Sequence, residues 1–209
     1  MLVRDIMTSP VVSIAPEITL EDAYRTMQQK GIRHLPVVDG GKLVGVITDR
    51  DLRLATSTLA PAPFPPGSKV AGSMCRAVAT ADTMDPVEEA ARKMREKKIG
   101  CLPVVDDGRV VGIVTGLDLL DALMRMTGVD KPSGRLEVGL PDQPGELARL
   151  TALLSGRDLN VHSILTYPNG PNRVRAVLRI GSIEIRQLAQ DLRRAGFEVL
   201  WPPEKPCPR

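Results

Sequence analysis

Apolar and polar positions alternate in a regular way through the first half of the chain. Leu20, Ala23, Tyr24 and Met27 recur at i, i+3, i+4 and i+7, which predicts an amphipathic helix with Thr19 as its cap. Residues 11–14, just ahead of it, predict a short strand. Two apolar runs follow, residues 35–38 and 43–47. The turn formers Asp39, Gly40, Gly41 and Lys42 separate them, which is the pattern of a β-hairpin. The second run stops on Thr48-Asp49-Arg50-Asp51, where a second helix is predicted.

Nearly the same pattern returns 67 positions later. Met7 aligns with Met74, Ile32 with Ile99, LPVVD at 35–39 with LPVVD at 102–106, and Thr48 and Asp51 with Thr115 and Asp118. Of the 46 positions from Met7 to Leu52, 19 are identical without a gap, so this region is two copies of one supersecondary unit. In the second copy Val87, Ala90, Ala91 and Met94 form the stripe, with Asp85 expected as cap and Pro86 in the first helical position. One β-α-β-β-α unit of about 55 residues buries its sheet poorly alone, so the copies, residues 1–56 and 69–126, are expected to pack as a pseudo-two-fold pair. Residues 57–68 hold four prolines between Pro61 and Pro66 and predict a stiff, extended linker.

Beyond a hinge at 127–134 the pattern changes. Leu136, Val138 and Leu140 alternate as a strand. Asp142-Gln143-Pro144-Gly145 turns into a helix with Leu147, Leu150 and Leu154 inward. Residues 160–165 and 173–180 predict two strands. Ser182 is the expected cap of a helix carrying Ile185, Leu188, Ala189 and Leu192, and Phe197, Val199 and Trp201 close with a strand. Residues 135–202 thus read β-α-β-β-α-β, the ferredoxin-like order. The fold class is α/β (α+β), and residues 203–209 are expected to be a disordered tail.

Composition narrows the function. A net charge of +3 with 25% charged residues is too balanced for a nucleic-acid or membrane-surface partner. Aromatics are 2%, so the cores rest on aliphatic side chains and Met. Cys75, Cys101 and Cys207 form neither a disulfide framework nor a zinc spacing, and no metal site is expected. Arg4 and Asp5 stand where a signal peptide needs apolar residues, and no run reaches the roughly 18 apolar residues of a membrane helix. A cytoplasmic protein is expected.

Thr48 and Asp51 sit three apart at a strand-to-helix junction, as do Thr115 and Asp118. One reading is a capping box, in which the threonine caps and the acid reaches back. The other is a nucleoside site, in which a carboxylate accepts the two hydroxyls of a ribose while free helix N–H groups face an anion. The two readings are compatible. Cys75 and Cys101, at the positions of Thr8 and His34, read as small lining groups. His34 reads as solvated or phosphate-facing and His162 as structural or interfacial. The Arg173, Arg175, Arg179 stripe reads as a solvated face or dimer surface, with anion binding as a lesser alternative.

The phrase LPVVD–turn–hhGhhTxxDL, present twice, resembles the tandem cystathionine-β-synthase (CBS) or Bateman module over residues 1–124. The resemblance implies sensing of AMP, ADP, ATP or S-adenosylmethionine, with the aspartates on the ribose and no required cofactor. By the same resemblance Thr48 and Asp51 belong to one site, and Thr115 and Asp118 to the other. Arg33 and His34, or Gly100 and Cys101, lie near the phosphates. The loops Thr8, Pro10, Val12 and Cys75, Ala77, Ala79 hold the base. Copy one has Arg33, His34 and Arg50 where copy two has Gly100, Cys101 and Leu117, so the more highly charged phosphate ligand is expected at copy one.

DQPGEL at 142–147 and DLNVHSI at 158–164 resemble an ACT domain. That implies dimerisation and an amino-acid site at Asp142, Gly145, Glu146, Leu147, Asn160 and Val161. The domain order resembles the acetoin-utilisation type of CBS–ACT regulatory protein. A non-catalytic sensor controlling a partner protein as a homodimer is expected. No nucleophile–base pair or phosphate-cradling loop favours the alternative of a nucleotide-using enzyme, and no basic face favours a regulator tied to nucleic acid.

Overall fold

The computed structural model describes residues 1–157 and 159–204. Asp158 of the DLNVHSI motif, Cys207 and most of the expected tail lie outside the described residues. The chain divides into two compact units between Ala122 and Leu123.

In the first unit, copy one comprises α1 (Leu20–Lys30), β1 (His34–Asp39), β2 (Lys42–Thr48) and α2 (Asp49–Thr56). Copy two comprises α3 (Val87–Lys97), β3 (Cys101–Asp106), β4 (Arg109–Thr115) and α4 (Gly116–Thr127). Each copy has a two-stranded antiparallel sheet. Gly40 and Gly41 turn the first hairpin at φ 53° and 83°, and Asp107 and Gly108 turn the second at 47° and 77°. Both two-residue turns need the left-handed conformation to match strand twist.

Residues 11–14 form no strand. Each copy keeps a single parallel bridge in its place, Ile14 to Val37 and Ala81 to Val104. The segment cannot form a ladder because it crosses between the copies. Its earlier end bridges to the other copy: Thr8 pairs with Ile113, and Cys75 with Val46, each through two backbone bonds of 2.9–3.1 Å. The arms before these loops cross as well. Leu2 bridges to Pro86 and Lys69 to Thr19, so Val3 packs in the core of copy two and Val70 and Met74 in the core of copy one. Between the copies, Val46 and Ile113 meet with Cys101, flanked by Val11 and Val78.

The proline-rich linker is bent rather than extended. Phe64 N–H donates to the Ala55 carbonyl at 2.8 Å, folding the segment back on α2. The carbonyls of Ser68 and Pro66 then accept Leu20 N–H and Glu21 N–H at 2.9 and 3.1 Å. Those are donors a helix start leaves without internal partners. Thr19 takes a third, Asp22 N–H, at 3.1 Å, as its position predicts. In copy two the cap position falls on Pro86 and not on Asp85. The Asp85 carboxylate is spent on Asp82 N–H and Lys93 Nζ, at 3.1 and 2.8 Å, and this Lys93 bond is the main reason it titrates below the usual carboxylate range.

The second unit contains β5 (Gly134–Pro141), α5 (Glu146–Ser155), β6 (Val161–Pro168), β7 (Arg173–Ile180), α6 (Ile185–Arg194) and β8 (Glu198–Trp201). Its antiparallel sheet has the order β6-β7-β5-β8, the ferredoxin-like arrangement. Leu136, Val138, Leu140, Ala176, Leu178 and Ile180 meet Leu150, Leu154, Leu188 and Leu192 in its core. Leu147 is exposed, because the buried stripe of α5 begins a turn later, at Leu150. Ser182 does not cap α6. Its hydroxyl accepts Glu184 N–H two residues on, a local turn that ends before the helix begins at Ile185. On the face away from the helices lies the buried Glu137. It accepts from Arg135 at 2.6 Å and from Arg175 and the Tyr167 hydroxyl at 3.0 Å. Burial pushes its pKa up, but these three donors and the Arg135 charge outweigh burial and hold the carboxyl below its usual range.

The crossing explains the glycine of hhGhhT in each copy. A Cβ on Gly112 would lie 2.7 Å from Met7 Sδ and 3.1 Å from the Thr8 carbonyl. One on Gly45 would meet Met74 Sδ at 2.5 Å and the Cys75 carbonyl at 3.1 Å. The methionine side chain and a backbone carbonyl of the other copy's arm occupy that space. Gly112→Ala is expected to lower unfolding free energy by about 1–3 kcal/mol in denaturant titration, as overpacking does. Gly40→Asn, at an uncrowded left-handed turn, is expected to change it by less than about 0.5 kcal/mol.

Candidate functional site

The two strand-to-helix junctions have the same hydrogen bonding. Thr48 N–H and Oγ1–H both donate to Asp51 Oδ2, at 3.0 and 2.7 Å, and Asp51 N–H donates to Thr48 Oγ1 at 3.2 Å. Thr115 N–H and Oγ1–H donate to Asp118 Oδ2 at 2.6 and 2.7 Å. The capping box is therefore real at copy one, and its carboxylate half is repeated at copy two. In both, the cap engages Oδ2, so Oδ1 of a half-buried aspartate is left for something beyond the cap.

His34 stands opposite Thr48 in the β1–β2 pairing, and Cys101 opposite Thr115 in β3–β4. Arg33 and Gly100 hold the helix starts through their carbonyls, which accept Asp49 N–H at 3.0 Å and Gly116 N–H at 3.2 Å. His34 also reaches the other copy: a Cβ on Gly100 would lie 2.9 Å from His34 Nε2, so only glycine lets the imidazole sit there. Burial and the neighbouring Arg33 hold His34 below its usual pKa, against the pull of Asp51. Cys101 is buried, and its thiol is pushed up to about 12, by burial first and the Asp51 carboxylate second. The Asp51 carboxylate of copy one is thus close enough to act on Cys101 of copy two, which packs with Val46 and Ile113 where the copies meet.

The crossed bridges decide which loop serves which junction. The loop of Cys75, Ala77 and Ala79 lies along β2, which ends at Thr48. The loop of Thr8, Pro10 and Val12 lies along β4, which ends at Thr115. This exchange was invisible in the repeat. It adds Arg76, whose guanidinium donates to the Ala71 carbonyl at 2.9 Å, to the Thr48 side. Its counterpart Ser9, on the Thr115 side, donates to the Val111 carbonyl at 2.9 Å. Exposed Arg33, Arg50 and Arg76 therefore stand against Gly100, Leu117 and Ser9.

In the second unit the candidate residues separate. Asp142 follows the end of β5 that pairs with Arg173, whereas Val161 pairs with Ile180 at the far end of β7. Eight residues of strand, about 24 Å, lie between them. Asp142 and Asn160 are both exposed. Gly145 opens α5 at φ 92°, Glu146 pairs with Arg149 at 2.9 Å, and Val161 packs on the core. One chain does not bring Asp142 and Asn160 together.

Comparison with known proteins agrees with this architecture. The CBS domain model matches residues 3–57 and 69–125, and the ACT domain model matches residues 134–197. The chain belongs to the CBS-domain family and carries an ACT domain after the pair. A CBS domain-containing protein of Dictyostelium discoideum is 40% identical over 138 residues, 60% of this chain and 92% of that protein. The CBS pair of protein MJ0100, solved with methylthioadenosine and S-adenosyl-L-methionine, is 36% identical with a TM-score of 0.54. The match covers 63% of this chain and 98% of that one. A Vibrio cholerae protein assigned to acetoin utilization (AcuB) is 31% identical with a TM-score of 0.55, covering 64% of this chain and 98% of that one. The chain spans only 35% of an inosine-5'-monophosphate dehydrogenase from Korarchaeum cryptofilum that it also matches. Among the described residues no helix is long and apolar enough to cross a membrane.

A lowered His34 pKa has a definite sign. The unfolded chain takes up the proton first, so His34 contributes stability above the usual histidine pKa and loses it as pH falls through that range. In an NMR titration His34 is expected to titrate below an unstructured histidine. Titration at or above that reference would contradict the burial of His34 and the effect of the Arg33 charge on it.

Proposed function

We propose that this chain is a non-catalytic regulatory sensor that binds an adenine nucleotide or adenosyl ligand in the cleft between its CBS copies. The observation that carries this reading is the paired Thr–Asp junction, in each of which one carboxylate oxygen makes the cap and the other takes no part in it. A ribose diol suits that oxygen, and the adjoining helix start suits an anion. The MJ0100 pair, similar over most of the same region, holds adenosyl ligands. The enzymes matched by the chain share the CBS module and extend well beyond it.

The junction with Arg33, Arg50 and Arg76 is the one for a triphosphate, because an arginine fork meets phosphate oxygens in two bonds. The junction with Gly100, Leu117 and Ser9 suits an uncharged nucleoside tail or a monophosphate. The ACT unit serves as the dimerising element of a cytoplasmic homodimer. Because Asp142 and Asn160 lie at opposite ends of one sheet, an amino-acid site there needs both subunits. Ligand affects a partner protein through unequal affinity for two arrangements of the domains.

Calorimetry with ATP on the full chain tests the reading. Asp51→Ala is expected to weaken ATP binding by about tenfold or more, the loss of one charge-assisted contact. Asp118→Ala is expected to leave it nearly unchanged. Equal loss from both variants would overturn the asymmetry, and no loss from either would overturn the nucleotide site itself.

A further inference from the structure

The second unit has a cleft of its own on the outer face of α6. Arg186, Gln190, Arg193 and Arg194 line its helix side, and Pro202 and Glu204, just past β8, close it around about 330 Å³. That volume suits a small metabolite. The lining holds three guanidinium groups and one carboxylate.

The three arginines are not equivalent. Arg193 is fixed by backbone: its Nη2 donates to the Val199 carbonyl at 3.2 Å and to the Pro202 carbonyl at 2.6 Å. Its position is thus set by the turn after β8, and it forms a rigid cationic floor. Arg194 reaches Asp191 at 3.4 Å, but Asp191 is already held by Arg157 at 2.5 Å, and the Arg194 side chain is 74% exposed. Among the described residues, the Arg186 guanidinium has no ion pair and no hydrogen bond. Arg186 is therefore free to close on a ligand, and Arg194 has only a long, exposed pairing to exchange for one, over a third arginine that is held in place.

Spacing decides the class of ligand. Seven and eight residues separate Arg186 from Arg193 and Arg194, about 11 Å along a helix axis. A single phosphate engages one end of that row. Two or three phosphates on one molecule engage both ends, each through the paired donors of a guanidinium. Gln190, midway, adds an uncharged donor and acceptor for a hydroxyl or bridging oxygen. We propose that this cleft binds an oligophosphate or bisphosphate of metabolite size, with Arg186 and Arg194 as the gripping groups and Arg193 as the floor. It lies wholly in the second unit, so it stands or falls apart from the nucleotide site between the repeats.

Trp201 supplies the readout. It is the single tryptophan of the chain, it directly precedes Pro202, and it is 43% exposed. The full chain is titrated with tripolyphosphate against a chloride control of equal ionic strength, following Trp201 emission. A saturable change beyond the control is expected, with weaker apparent affinity for orthophosphate. Replacing Arg186 and Arg194 together by Gln, which keeps much of the side-chain bulk, is expected to weaken binding at least about tenfold. Replacing Arg33 and Arg50 by Ala is expected to leave the curve unchanged. Thermal melts of the variants show whether each remains folded; Arg186→Lys with Arg194→Lys, which keeps the charges and loses the forks, is expected to fall between. No change beyond chloride, a curve that survives loss of Arg186 and Arg194, or a curve abolished by loss of Arg33 and Arg50 would each overturn the proposal.

Discussion

Two pairs of backbone bonds hold the repeat region together: Thr8 with Ile113, and Cys75 with Val46. Each joins the lead-in loop of one copy to the last strand of the other. Because the loops are exchanged, neither copy completes its own core. Val3 is buried in copy two, and Val70 and Met74 in copy one. The arm of one copy also satisfies the free helix N–H groups of the other, through Ser68 and Pro66 at α1 and Met1 at α3. A two-copy structure of this kind stands or falls as one body, and it demands glycine wherever the exchanged backbone comes closest.

The same exchange shapes the cleft. Backbone symmetry is kept closely, down to the Thr–Asp bonds of the two junctions, whereas side-chain symmetry is abandoned around them. His34 of copy one lies against Gly100 of copy two, so the meeting of the copies is asymmetric at its centre as well as at its ends. A duplicated scaffold gives two equivalent Thr–Asp junctions. Substitution at the flanking positions then gives those places unequal charge, without disturbing the helix caps that position them.

The second unit solves a different packing problem. Its sheet is covered on one side by α5 and α6, and the other side carries arginines that would repel one another. Glu137 gathers Arg135 and Arg175, and Glu198 pairs with Arg173, so two carboxylates offset part of the stripe's charge within the face. The arginines of α6 have fewer acids to meet, and there cationic groups remain available at a cleft.

Periodicity and the 67-residue offset determined much of this protein by themselves. The amphipathic stripes of α1 and α3, both hairpins, the Thr48–Asp51 cap and the ferredoxin-like order all follow from neighbours close in sequence, whose geometry local chemistry dictates. Some local rules erred because a partner elsewhere had intervened: Lys93, two turns along α3, holds the Asp85 carboxylate, and the helix start of α1 takes up the carbonyls of the bent proline-rich linker. What only the tertiary structure decided was the exchange of arms. With it came the pairing of each loop to a junction, the reason for Gly45, Gly112 and Gly100, and the separation of Asp142 from Asn160. An offset between identical phrases states which residues are equivalent. It does not state which copy each one touches, because contacts across a pseudo-two-fold axis leave the same pattern in the chain whether or not they are exchanged.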